Sequence, residues 1–195
     1  RQINLTTGVG HFNVDKNHDV TQNFDLSPFG GGLVTVRTRT DEDDKHTNMY
    51  LYSSINVFRD VTMTLGVSGD IFKTQSKDTV STNQINPKFG ITWNPLPNTT
   101  VRAAAFRVLK RTLITDQTLE PTQVGGFNQF FDDINSTKSW RYGGAVDQKF
   151  TTTLFGGIEF SKRDLSIPFR SQVFDDFGNL ISDTVERGDG HEYIG

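Results

Sequence analysis

Acidic and amide side chains that could bind a cation occur near the start of this 195-residue chain. Asp15, Asn17 and Asp19 alternate as in the first half of a calcium-binding loop. Val20 stands where such a loop needs glycine at position six, and no glutamate stands at position twelve. We therefore interpret the segment as a polar turn and predict no metal site there.

The remaining residues of chemical interest also fail to form a catalytic motif. An acidic run at 41–44 precedes His46, but a run of like charges is usually a solvated surface. The four histidines lack metal-binding spacing such as H-E-x-x-H, and no G-x-S-x-G elbow or phosphate-binding loop occurs. The sequence predicts no metal and no cofactor, and we expect the protein not to be an enzyme.

The bulk composition excludes several further classes. The chain has no cysteine, which rules out disulfides and thiolate chemistry. A formal net charge of −3 argues against a nucleic-acid partner bound through a basic face. Only 34% of residues are hydrophobic, and no stretch approaches the roughly 20 apolar residues of a transmembrane helix. Membrane-spanning β-strands, which need about 9–11 residues each, remain compatible with this composition.

Alternation of apolar and polar residues is the dominant pattern. In 48–57, Met49, Leu51 and Ile55 alternate with polar neighbours, and 61–71 repeats the pattern. Successive side chains of a strand point to opposite faces, so each segment predicts a strand with one apolar and one polar face. Similar alternation occurs near 3–9, 88–94, 140–147 and 153–161.

Charged residues within these segments fall on the polar register. If that face lines a lumen, they set its local field and solute preference; alternatively they only solvate the interior or pair across strands. Arg107 is an exception, because it shares the register of Val101 and Ala103, close to the distal end of its strand. The lumen-facing candidates are Asp70, Lys88, Arg102, Arg141, Asp147 and Glu159.

The lengths of the connections differ in a regular way. Short turns are predicted near 58–60, 94–99 and 149–151, whereas long polar connections cover about 15–46, 73–85, 110–138 and 163–190. The first long connection has strand character at LVTVRTRT and could contain an extended hairpin. Short turns on one side and long loops on the other are typical of an outer-membrane β-barrel. The fragment would then hold seven strands and the beginning of an eighth.

Aromatic residues give two further hypotheses. Trp93, Trp140, Phe150 and Phe160 lie near predicted strand ends, where membrane girdles form. The loop GGFNQFFDD combines exposed-looking aromatics with acids and could contact a ligand, although loop packing explains it equally well. Its ligand-contact candidates are Phe127, Asn128, Phe130, Phe131, Asp132 and Asp133.

The segment INPKFGITWNPLPNTTVRAAAFR, beginning at Ile85, resembles a stretch common in the barrels of TonB-dependent outer-membrane receptors. There, a strand opening on an Asn/Ser-Pro-Lys/Arg pattern ends in a Trp-x-Pro turn, and the next strand carries small residues and an aromatic-Arg pair, here Phe106 and Arg107. LEPTQVGGFNQFFDD resembles the extracellular loop that follows. The chain also resembles barrels fused behind tetratricopeptide-repeat regions. The resemblance implies a barrel in the outer membrane of a Gram-negative-type cell.

We therefore expect an all-β fold: part of an antiparallel, transmembrane, up-and-down β-barrel with short periplasmic turns and long extracellular loops. Residues 1–195 would belong to one barrel domain, without a plug or signal segment. The expected function is passage or gating of an unknown solute through a polar lumen. The expected partners are outer-membrane lipid, that solute and an energy-coupling or periplasmic protein. The alternative is a soluble or surface-exposed β-sandwich that acts as a binding module.

Overall fold

The computed structural model describes residues 2–25, 31–75, 79–111, 120–129, 132–175 and 180–195. These residues form ten β-strands, and none of them belongs to a helix able to cross a membrane. The strands are β1 (Ile3–Asp25), β2 (Leu33–Phe58), β3 (Val61–Gln75), β4 (Thr79–Leu96), β5 (Thr99–Leu109), β6 (Gln123–Val124), β7 (Phe127–Asn128), β8 (Lys138–Lys149), β9 (Phe155–Phe174) and β10 (Leu180–Ile194).

Eight of these strands form one antiparallel sheet in the order β1-β2-β3-β4-β5-β8-β9-β10. Each strand pairs with the strand that neighbours it in sequence, apart from β6 and β7, which form a separate two-stranded sheet between β5 and β8. This confirms the up-and-down topology and the predicted short turns. The eighth strand is longer than expected, because β10 contains 15 residues.

The two faces of the sheet have inverted polarity compared with a water-soluble protein. Outward apolar side chains are exposed, including Met49 at 61% and Ile158 at 80%. Polar side chains of the opposite register are buried, including Asp70 at 3% and Lys88 at 4%. Within the described ranges no second sheet covers the apolar face. The sandwich alternative is therefore wrong, and the barrel prediction is confirmed.

The predicted long connections are mostly long hairpins. Strands β1 and β2 pair continuously from Ile3 with Ile55 to Asp25 with Leu33, so most of 15–46 is a ladder. Segments 73–85 and 163–190 are likewise largely paired strand. An antiparallel ladder satisfies its own backbone hydrogen bonds, so it can continue beyond a buried face into water. The expected hairpin at LVTVRTRT is confirmed. Of the four predicted long connections, only 110–138 lies mainly outside the eight-stranded sheet, as judged from its described residues.

The sheet is curled and open. Arg187 of β10 lies within 3.5 Å of the Thr82 hydroxyl on β4, although three strands separate β4 from β10 in the sheet. The β5–β8 ladder ends at Leu109 and Lys138, and the guanidinium reaches Thr82 beyond that end. The first and last strands of the sheet are its two edges. The result is a partial barrel with a concave polar face.

Candidate functional site: an occluded polar concavity

A short hairpin from the connection between β5 and β8 lies against the concave face. We call residues 120–129 the lumen hairpin; it contains β6, β7 and a two-residue turn at Gly125 and Gly126. Both glycines have positive φ, 56° and 83°, as the tightest type of hairpin turn requires. The hairpin buries Val124, Phe127 and Gln129 completely or almost completely against the barrel wall.

The wall receives this hairpin at positions without side chains. A Cβ atom at Gly90 would come within 2.7 Å of the Gly125 backbone nitrogen. A Cβ atom at Gly143 would come within 2.4 Å of the Phe127 ring. Glycine at these wall positions therefore permits the close approach of the hairpin.

The Phe127 ring lies close to two guanidinium groups of the wall. The Cζ atoms of Arg102 and Arg141 are 5.2 Å and 5.5 Å from its centroid, within the range of cation–π attraction. Each arginine also donates to a hairpin carbonyl: Arg102 to Gly126 O and Arg141 to Asn128 O, both at 2.9 Å. Cation–π contacts and hydrogen bonds from arginine to backbone carbonyls thus both hold the hairpin against β5 and β8.

Carboxylates on the same face neutralise these two arginines. Arg102 Nε donates to Asp147 at 2.6 Å, and Arg141 donates to Glu159 at 3.0 Å. A weaker contact of 3.7 Å joins Arg102 to Glu159. All four residues are predicted lumen candidates, and the structure brings them together around Phe127.

A second polar cluster surrounds the buried carboxylate of Asp70. Its Oδ1 atom is 2.8 Å from His46 Nε2 and accepts from Asn48 at 2.8 Å and from Arg111 at 3.1 Å. Its Oδ2 atom accepts from Asn86 at 2.5 Å. A carboxylate with this many donors is stabilised in its ionised form despite burial.

Glu120 connects this cluster to the lumen hairpin. Its carboxylate accepts from Tyr52 at 2.5 Å and lies 3.2 Å from Lys88 and 3.4 Å from Arg111. Lys88 also donates to Gln129, whose amide nitrogen donates to Tyr52 at 3.0 Å. Two buried cations and two buried carboxylates thus compensate one another, as buried charges require.

The described residues contain no group of three or more His, Asp or Glu side chains placed to hold a metal ion. Asp15, Asn17 and Asp19 lie on strand β1, and Asp19 pairs with Arg37.

The six lumen candidates all lie on the concave face and fall into the two clusters described above. The loop candidates divide differently. Phe127 is wholly buried against a glycine and two arginines, as the loop-packing alternative expects. Asn128 and Asp132 are exposed, Asp133 pairs with Arg163, and Phe130 and Phe131 lie outside the described residues.

Sequence reasoning missed several members of the clusters. His46 and Tyr52 share the polar register of β2, a signal that was available. Arg111, Glu120 and Gln129 lie in a connection without periodicity, so no local pattern places them on the wall.

Comparison with known proteins agrees with this architecture. A family model described as TonB dependent receptor-like, beta-barrel, matches residues 2–165. The structure of the FpvAI–pyocin S2 complex is similar with a TM-score of 0.62 and 11% identity, covering 99% of this chain and 28% of that chain. The structure of the alcaligin outer-membrane receptor FauA from Bordetella pertussis has a TM-score of 0.48 and 13% identity, covering 98% of this chain and 36% of that chain. No curated protein matches significantly. The chain therefore spans 28% and 36% of the lengths of these two solved chains.

Proposed function

This chain belongs to the TonB-dependent receptor-like β-barrel family, and from that premise we propose that it forms part of the wall of an outer-membrane transport receptor. In this proposal the wall admits a solute to a polar lumen, and the lumen hairpin gates its passage.

The inverted polarity of the sheet carries the proposal. Exposed Met49, Leu51, Val67 and Ile158 would meet hydrocarbon, while the buried charges would face the lumen. A charge at mid-membrane on the lipid side costs about 2–4 kcal/mol, which explains why the charges occupy the concave register. The proposed location is therefore the outer membrane, with its lipid as the first partner.

Gating follows from the position of the lumen hairpin. The hairpin lies where a solute would pass, and it is attached by polar contacts of three kinds: guanidinium to carbonyl, ammonium to amide, and tyrosine to carboxylate. A hydroxyl-rich or charged solute could replace them. We propose that an energy-coupling or periplasmic partner supplies the force that displaces the hairpin.

Liposome swelling tests this function. The full-length protein is reconstituted in liposomes, and entry of neutral oligosaccharides is compared with that of a variant whose residues 120–129 are replaced by a Gly-Ser linker. We expect faster swelling with the linker variant, because the concave face is then open. Equal rates in two correctly inserted proteins would contradict gating by this hairpin.

Insertion is measured separately through Trp93, which is half-exposed on the outward face. Brominated lipids should quench a single-tryptophan version at this position. Absence of quenching would contradict the membrane location itself.

A further inference from the structure

The carboxylate of Glu120 lies among donor groups that belong to the barrel wall. Its Oε1 atom accepts from the Tyr52 hydroxyl at 2.5 Å and lies 3.2 Å from Lys88 Nζ. Its Oε2 atom lies 3.4 Å from a guanidinium nitrogen of Arg111. All four side chains are buried. The wall thus offers a planar two-oxygen anion one hydroxyl, one ammonium and one guanidinium group, which are strong partners for a carboxylate.

The carboxylate and its donors belong to different parts of the chain. Tyr52 and Lys88 lie on β2 and β4 of the eight-stranded sheet. Arg111 follows the end of β5 by two residues and is held against β3 by its 3.1 Å contact with Asp70. Glu120, in contrast, is the first residue of the lumen hairpin. Displacement of the hairpin would therefore remove the carboxylate and leave the three donors on the wall.

Charge balance determines which group the emptied site favours. With Glu120 in place, Lys88 and Arg111 face two carboxylates, those of Glu120 and Asp70. Without Glu120 the site has two cations and one carboxylate, so one positive charge is uncompensated. A buried charge without a partner is costly, and a single negative charge restores the balance. The emptied site therefore favours a carboxylate over a neutral group or a doubly charged phosphate.

We propose that Glu120 is an internal occupant of a carboxylate-binding site in the wall, and that a solute bearing a carboxylate takes its place. In this exchange Tyr52, Lys88 and Arg111 transfer their contacts from Glu120 to the solute, and the hairpin loses one of its attachments. The hairpin is then autoinhibitory, because its own acid competes with the solute and lowers the apparent affinity of the site. The role of this exchange in transport rests on the proposed gating function.

Release of the hairpin by defined sugars tests the exchange in the full-length protein. Cysteine replaces Val124, which is wholly buried in the hairpin, in a protein otherwise free of cysteine, and its labelling rate is measured in detergent. Glucuronate is the carboxylate probe, glucose the neutral control and glucose 6-phosphate the phosphate control. At millimolar concentration we expect glucuronate to raise the rate about fivefold and the controls to leave it unchanged. Equal rates with glucuronate and glucose would overturn the proposal, and a larger effect of glucose 6-phosphate would overturn the choice of carboxylate.

Variants separate competition by Glu120 from a purely structural role. Glu120→Gln keeps the shape but removes the competing charge, so glucuronate should bind about tenfold more tightly in an equilibrium titration. Lys88→Gln leaves the emptied site neutral and should abolish the preference for glucuronate over glucose. Asp19→Asn makes the same change of charge at the exposed pair with Arg37 and should leave the affinity unchanged.

Two results with these variants would overturn the proposal. One is unchanged or weaker glucuronate binding in a folded Glu120→Gln protein, and the other is an equal gain of affinity in Asp19→Asn. If Glu120→Gln does not fold, the comparison of sugars in the Val124→Cys protein still decides the question, because that protein keeps Glu120.

The linker variant of residues 120–129 separates this inference from gating itself. It lacks Glu120 but retains the three donors of the wall, so it should bind glucuronate at least as tightly as Glu120→Gln does. If it swells liposomes faster but does not prefer glucuronate over glucose, only the carboxylate site fails. If swelling is unchanged while glucuronate still binds preferentially, gating by the hairpin fails and the carboxylate site stands.

Discussion

The Phe127 ring lies directly over Gly143, so that the wall position beneath the lumen hairpin has no room for a methyl group. The neighbouring Gly144 faces outward and has open space around its Cα. These adjacent glycines therefore differ in whether a side chain fits at their position, although they are neighbours in the sequence.

Replacement of Gly143 by alanine should loosen the lumen hairpin. The added Cβ would overlap Phe127, and overpacking of this kind costs about 1–3 kcal/mol. We expect faster labelling of a cysteine introduced at Val124, which is buried in the same hairpin, while Gly144→Ala should leave the rate unchanged. Equal rates for both variants would show that the hairpin is not seated on Gly143.

The contribution of the cation–π contacts of Phe127 to stability can be separated from the contribution of its side-chain volume. Phe127→Leu removes the attraction to Arg102 and Arg141, with an expected loss of about 1–2 kcal/mol. Phe127→Ala also leaves a cavity and should cost about 3–5 kcal/mol. Denaturant unfolding of the full-length protein measures both, and Phe150→Leu, exposed at a short turn, serves as the control. A leucine variant as stable as wild type would rule out the arginine contribution.

Neutralising Asp70 should be severely destabilising. Asp70→Asn leaves buried Arg111 with less compensation and disrupts the contacts with His46 and Asn86, for an expected cost of about 3–5 kcal/mol. Asp41→Asn, an exposed carboxylate paired with Arg39, should cost less than about 1 kcal/mol. Thermal unfolding in detergent compares them; similar melting temperatures would mean that the cluster is hydrated.

An outward charge should obstruct insertion only within the apolar band. Val67→Arg places a cation on the exposed apolar face of β3 and should cost about 2–4 kcal/mol in lipid. Ile134→Arg, at an exposed site in the β5–β8 connection, should be tolerated. Folding yield into vesicles is the measurement, and equal yields would argue against lipid contact at Val67.

The β1–β2 hairpin contains an exposed pair whose pH dependence has a definite sign. The side-chain hydrogen bond from Arg37 lowers the pKa of Asp19 below its usual value of 3.8. The pair therefore stabilises the hairpin above the unfolded-state pKa, and the contribution is lost as pH falls through the lowered folded-state value. A carboxyl NMR titration should detect the lowered pKa, and Arg37→Gln should return it toward 3.8. An unchanged titration in that variant would contradict the assigned cause.

Only part of the candidate site was accessible to sequence reasoning. The six lumen residues share a register with polar neighbours, so alternation alone places them on one face. Arg111, Glu120 and Gln129 come from a connection with no period, and a few sequence-distant contacts determine their positions. The burial of Phe127 was left open, because an aromatic residue beside glycines and acids fits a packed loop and an exposed one equally well.

The sequence by itself determined the two-faced parts of the strands, their inward and outward faces and the short turns, since these depend on side-chain alternation and local turn chemistry. It did not show how far β1, β2, β9 and β10 continue into the segments predicted as connections. The tertiary structure decided that Arg187 reaches Thr82 and that the lumen hairpin packs over Lys88 and Gly143. Those contacts depend on sheet curvature and on the path of a long connection. Both are set by packing between residues far apart in the chain, which no local pattern encodes.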